Sequence, residues 1–287
     1  MPDAATIGVL RDVVILVLLA LGIGALVYRG IRRAFPLVNW NYEGNVLSRL
    51  YGPHDVVISM LLLSPYILGL LFYSPAEAAS TGSGGGHSAA GGEAQAGAVL
   101  SQIVFALGSA TALLVWLRRV RGLDVGDLFG IRALPIGKVI AFALGAIAPT
   151  LLIVVVVNLG AVELLSGVWP DVAPQQVVKA FETSGSVAVR LLMGFAAVVA
   201  APLTEELLFR GLLYGVCKRF TDSWFAAIVS SLLFASVHLH IGSFMPLFTL
   251  ALILVAVYEI TGSLLVPILM HGLFNGLMLI AMLLGAK

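Results

Sequence analysis

Charge is what this chain has least of. Only 11% of its 287 residues are Asp, Glu, Lys or Arg, against 60% that are hydrophobic, where a soluble domain carries about 25% charged residues. The net charge is +1, so there is no electrostatic case for a nucleic-acid partner. Cysteine is scarcer still. Cys217 stands alone, which excludes an internal disulfide and any cysteine-based metal cluster, and it reads as a plain membrane-interface residue. The chain also lacks GxGxxG, Walker-type and HExxH patterns, so a dinucleotide, a phosphate-loop ligand and zincin chemistry have no footing. No internal repeat is visible, which counts against a transporter built from inverted repeats. No connection is long enough to hold a separate folded domain.

Long apolar runs are present instead. Mean hydropathy is +1.06, and the expected fold class is all-α, a polytopic transmembrane helical bundle of about eight spans at 8–28, 56–74, 98–117, 138–160, 187–217, 223–239, 244–260 and 264–284, each near the 20 or so residues a bilayer requires. The first run is followed by Arg29, Arg32 and Arg33 and by no small-residue cleavage site, so it reads as a retained span. Basic residues gather in alternate connections: Arg29 to Arg49, Arg118 to Lys138, and Lys218 with Arg219. The positive-inside rule makes these cytoplasmic and puts both termini outside the cytoplasm.

The expected location is therefore an integral, multi-pass site in a membrane, and the Ala- and Gly-rich composition points to a bacterial inner membrane. Residues 75–97 read as a flexible external loop, since Ser80–Gly97 is rich in Gly, Ser and Ala. Gly122–Lys138 reads as an amphipathic connector along the inner interface. Glu259, at the end of the seventh run, reads as a residue that snorkels into water. The chain divides into N-terminal helices over 1–186 and a polar-bearing core over 187–287.

That core holds the exceptions to apolarity. Glu205, Glu206 and Arg210 fall within six positions of the fifth span, where an ionisable group costs several kcal/mol and is a functional-site hypothesis by default. The i to i+4 spacing puts Glu206 and Arg210 on one face as an ion pair. Glu205 lies about 100° further round and needs a partner from another helix. His238 in the sixth span, and His271 with Asn275 at i, i+4 in the eighth, are the candidates. Counted from the turn near Phe220, Glu205 and His238 both lie about 23–26 Å along their helices. His271 is only about 10 Å beyond the turn at Thr261–Ser263, so a common level requires that turn to be recessed or the eighth helix to be shifted.

A carboxylate and an imidazole can hold and deprotonate a water while a second imidazole and an amide N–H stabilise an oxyanion, the set needed to hydrolyse an amide. Alternatively Glu205, His238 and His271 supply three ligands to a tetrahedral zinc with water as the fourth. A lone His or Asn in a bundle commonly only bonds a neighbouring helix, and Glu206–Arg210 can be a structural pair. So many polar groups on three spans are seldom buried without use.

The segments Glu205-Glu206-Leu-Leu-Phe-Arg210, Phe234-Ala-Ser-Val-His238 and His271-Gly-Leu-Phe-Asn275, in that order, resemble the CPBP (Abi) family of CAAX prenyl endopeptidases and bacteriocin-immunity proteins, over about residues 187–284. The resemblance implies an intramembrane endopeptidase acting on a membrane-associated protein or peptide within the lipid bilayer. In it Glu205 with His238 would activate the water, His271 and Asn275 would stabilise the oxyanion, and Glu206 with Arg210 would support the site. Both a metallo-type and a metal-free glutamate mechanism are argued for the family; the glutamate-activated water is the reading preferred here, with zinc left open. Eukaryotic relatives cleave prenylated, CAAX-type proteins. The alternative is a non-catalytic binding or immunity protein that uses the same polar cavity.

Overall fold

A chain this apolar has to satisfy its backbone within each segment, and in lipid a helix does so. The computed structural model describes residues 44–72, 89–166, 176–238 and 240–285, with Arg29, Gly30 and Arg33 besides, and among them every regular element is helical. In chain order these are α1 (Pro53–Phe72), α2 (Ala89–Val115), α3 (Val125–Leu128), α4 (Ile136–Ser166), α5 (Gln176–Thr183), α6 (Val187–Phe220), α7 (Ser223–Ser236), α8 (Ile241–Thr261) and α9 (Leu265–Leu283).

Five helical stretches are long and apolar enough to cross a membrane: Gln95–Val120, Ile136–Leu164, Val187–Phe220, Gly242–Thr261 and Leu265–Leu283. They match the expected third, fourth, fifth, seventh and eighth spans. The expected first span lies outside the described residues, and the second overlaps α1. The sixth is cut short. Its helix, α7, has 14 residues, about 21 Å of rise against a hydrocarbon core of about 30 Å. It stops where the His238 ring takes the Phe234 carbonyl and the Val237 amide turns onto the Leu233 and Ala235 carbonyls, which meets the acceptors left over in its last turn.

One expectation is corrected. The Gly- and Ala-rich stretch does not stay a loop throughout, because α2 begins at Ala89, alanine being the strongest helix former; the earlier part, 75–88, lies outside the described residues. The connector at 122–138 contains the single helical turn of α3. Asp124 caps the single turn of α3 by accepting from the Gly126 and Asp127 amides, and Arg132, then those amides, hold its carboxyl below the usual range. At the end of α3 the chain turns inward and buries Leu128 and Phe129.

That inward turn fixes the level of α9. The Phe129 carbonyl accepts from Leu264 N at 2.9 Å. At Gly130 (φ 60°) a Cβ would stand 1.7 Å from the Gly262 carbonyl oxygen, and Gly262 itself takes φ 64° to end α8. Both positions demand glycine, by handedness and by space. The α8–α9 turn is thereby covered, with Ser263 and Leu264 buried. It is recessed into the bundle, which answers the question of depth that His271 raised.

The core around these contacts is continuous from α2 to α8: Leu113, Leu117, Phe129, Leu208, Leu212, Phe234 and Tyr258 pack together. A second layer joins α4 to α8 and α9 through Val139, Ala143, Leu250, Leu254, Val266 and Met270. The helices preceding residue 187 are thus packed directly on those that follow it.

Candidate functional site

Helix α6 is not a regular α-helix. It carries π-helical winding over Ala196–Ala200 and again over Glu206–Tyr214, and such i→i+5 segments gather at functional sites. The second begins at the paired carboxylates. Its looser turn sets Glu206 over Arg210, and NH1 of the guanidinium donates to Glu206 Oε1 at 2.8 Å with both side chains essentially buried. The expected ion pair is formed, and inside the core.

The same Oε1 takes a second bond. His271 Nδ1 lies 2.8 Å from it, and since the acceptor is a carboxylate, the nitrogen carries the proton. His271 Nε2 then faces Glu205 Oε2 at 3.8 Å. Glu205 therefore finds its partner on α9. A separation of 3.8 Å is longer than a hydrogen bond, yet both atoms can reach a single water lying about 2.8 Å from each, to the side of the line between them. Glu205 keeps 22% of its side chain exposed while Glu206 keeps none. The two adjacent carboxylates have separated into an open one and a buried one.

The other expected residues stand around this contact. His238 meets not Glu205 but the Phe234 carbonyl, through Nδ1 at 2.7 Å; a carbonyl can only accept, so Nδ1 bears the hydrogen and Nε2 presents a lone pair when the ring is neutral. The Phe234 ring ties the groups together. It lies 4.3 Å from the Arg210 guanidinium carbon, 4.8 Å from the His238 ring and 5.8 Å from the His271 ring. A cation over an aromatic face is worth about 2 kcal/mol when desolvated. Asn275 gives one amide hydrogen to Ala197 O at 2.8 Å, and its amide has a second to give.

Close backbone approach sets the distance between α6 and α9. A Cβ on Gly272 would lie 2.7 Å from Val198 O, and small residues are what allow membrane helices to come this near. Gly272 follows His271 directly, so this approach places the imidazole against the carboxylates.

Among the described residues no three His, Cys, Asp or Glu side chains are grouped so as to hold one ion. Each ring gives Nδ1–H to its own acceptor, Glu206 for His271 and the Phe234 carbonyl for His238. No step below is routed through a metal.

One buried cluster was not foreseen. Glu259 does not snorkel: it is buried, accepts from the Tyr214 hydroxyl at 2.5 Å and pairs with Lys218 Nζ. Lys218 also donates to Val46 O at 3.2 Å, while Asn45 bonds the Glu259 and Ile260 carbonyls. The positions 206, 210, 214 and 218 form a four-residue repeat of polar groups along α6, a signal the sequence did carry. Asp55 is likewise enclosed, bonded to Gly52 N, Trp116 Nε1 and Arg121 Nε.

With the geometry in hand, residues 187–277 match the family model described as type II CAAX prenyl endopeptidase Rce1-like. The match contains all three motif segments. No curated protein and no solved structure matches the chain.

Proposed function

We propose that this chain, an integral membrane protein whose residues 187–277 form an Rce1-like domain of the CAAX prenyl endopeptidase kind, hydrolyses a peptide bond in a membrane-associated protein by means of a glutamate-activated water. One observation carries the reading: in an apolar bundle, Glu205 and His271 face each other at 3.8 Å with Glu206 and Arg210 fixed behind them.

The roles follow from the contacts. Glu205, the more open carboxylate, takes a proton from the water, and the Nε2 lone pair of His238 helps to orient it. The resulting hydroxide adds to the scissile carbonyl. His271 is held through Nδ1 by Glu206, much as a buried carboxylate orients the histidine of a hydrolytic triad. Its Nε2–H and the second amide hydrogen of Asn275 donate to the oxyanion. Collapse of the tetrahedral intermediate breaks the C–N bond, and Glu205 returns the proton to the leaving amine. Arg210, whose charge is met by Glu206 and the Phe234 ring, keeps Glu206 in place.

The test compares the membrane peptides of cells carrying the wild-type protein or Glu205→Gln, by N- and C-terminal mass spectrometry. Removing a general base lowers such a rate by about 10²- to 10⁴-fold, so peptides that vanish in the variant identify the substrate, prenylated or not. A chelator is expected to leave cleavage unchanged. Identical peptide sets, with Glu205→Gln inserted normally, would reject proteolysis in favour of a binding protein.

A further inference from the structure

The second π segment of α6 ends against a side chain from outside the matched residues. Its π winding runs to Tyr214, and α winding resumes at Gly215. In an α-helix the Gly215 amide would bond the Gly211 carbonyl, four residues back. Here it bonds to Leu212 O. The Gly211 carbonyl accepts from the Tyr51 hydroxyl, at 2.5 Å and inside the core. A buried carbonyl has to find a donor, so the phenol is what lets the looser winding stand.

The seat of Tyr51 is built from two directions. On α6, Gly215 makes room for the ring: a Cβ there would lie 2.4 Å from ring carbon Cε2. Behind the ring, the residues on either side of Tyr51 are tied to one ion pair. Arg121 donates to Leu50 O at 3.1 Å, the Gly52 amide donates to Asp55 at 2.8 Å, and Arg121 meets Asp55 at 3.1 Å. The hydroxyl is thereby held at a fixed place before α1 begins.

The junction at Gly211–Gly215 separates the site from the buried cluster beyond it. Glu205, Glu206 and Arg210 precede it, and Lys218, paired with Glu259, follows it. If the Gly215 amide returned to Gly211 O, the winding would tighten. Residues before the junction would then turn against those after it, by about 100° for each residue of register. Such a turn takes Glu205 and Glu206 off the face that meets His271.

We propose that Tyr51, which lies outside the matched residues 187–277, is a positioning residue of the site: its hydroxyl holds α6 in π winding at Gly211 and so keeps Glu205 and Glu206 directed at His271. Its effect on cleavage rests on the proteolytic reading above; its effect on the bond between Glu206 and His271 does not.

Tyr51→Phe removes the hydroxyl and keeps the ring. The full-length protein, labelled with nitrogen-15 in its histidine rings, is read in lipid by solid-state NMR, and the His271 signals are identified by their absence from His271→Gln. An Nδ1–H held on a carboxylate gives His271 a single tautomer. In Tyr51→Phe these signals are expected to leave their wild-type positions. Release of the peptides that depend on Glu205 is expected to fall about tenfold, since a small misplacement of reacting groups carries losses of that order or more. Para-aminophenylalanine in place of Tyr51 restores a donor and is expected to return both readouts toward wild type; para-methylphenylalanine, which has none, is expected not to. Gly215→Ala, whose methyl takes the place of the ring, displaces the hydroxyl without removing it and is expected to shift the same signals should Tyr51→Phe fold poorly.

His271 signals that stay at their wild-type positions in both Tyr51→Phe and Gly215→Ala would overturn the proposal. So would equal shifts in Ser59→Ala, which loses only a bond made within α1, because the effect would then be a general loosening. If Glu205→Gln left the membrane peptides unchanged while the His271 signals moved in Tyr51→Phe, the positioning would stand and the proteolytic reading alone would fail.

Discussion

At the scale of single residues, Glu205 and Glu206 are neighbours in sequence with opposite duties, and substitution separates them. Glu205 contacts the site only across 3.8 Å and is 22% exposed, so Glu205→Gln is expected to stop cleavage while shifting the unfolding midpoint in detergent by no more than a degree or two. Glu206 anchors two partners through one oxygen. Glu206→Gln leaves the Arg210 charge buried without its counter-ion, and breaking one side of a buried pair costs about 3–5 kcal/mol. It is expected to lower the unfolding midpoint sharply and to abolish activity with it. A Glu206→Gln protein as stable as wild type would remove Glu206 from the role of anchor. The pairing of Glu206 with Arg210 was legible from their spacing alone; the bond to His271 was not, because it depends on how far α9 is drawn into the bundle.

At the scale of elements, that depth is set by two backbone contacts. The Phe129–Gly130 turn covers the start of α9, and Gly272 lets α9 lie against Val198 O. Gly272→Ala puts a methyl 2.7 Å from that carbonyl, and overpacking of this kind costs about 1–3 kcal/mol. Gly276→Ala, one turn on, meets only Val198 methyls at 3.8 Å and is expected to be neutral. Thermal unfolding and cleavage of the pair, measured side by side, should fall in the first and hold in the second; equal effects would reject the close approach as the device that sets His271. The spans themselves were readable from hydropathy because lipid leaves a chain few options. The early end of α7 was not, since Phe234-Ala-Ser-Val-His238 continues an apolar run and the helix stops where the His238 ring and the Val237 amide turn onto its own carbonyls.

At the scale of the whole molecule, the polar positions of α6 link two buried clusters, the site at Glu206–Arg210 and the clamp at Tyr214–Lys218. Lys218 looked like a residue of a cytoplasmic turn and Glu259 like one that reaches water, both reasonable from their places at span ends. The structure buries both because the chain at Asn45–Val46 folds over the ends of α6 and α8 and shuts water out. A charge pair enclosed in this way need not add net stability, but either partner left alone is destabilising. Lys218→Met or Glu259→Met by itself is expected to cost about 3–5 kcal/mol, seen as a lower unfolding midpoint in detergent. The double substitution Lys218→Met with Glu259→Met removes both charges, leaving only the Tyr214 hydroxyl without its acceptor, and is expected to recover most of that loss. The clamp lies one helical turn beyond Arg210 and touches none of the catalytic groups, so the recovered double variant should also recover cleavage. Additive losses in the double variant would mean that the two charges act independently, and that the order seen at this end of the bundle comes from the apolar packing of Tyr51, Phe129 and Tyr258 instead.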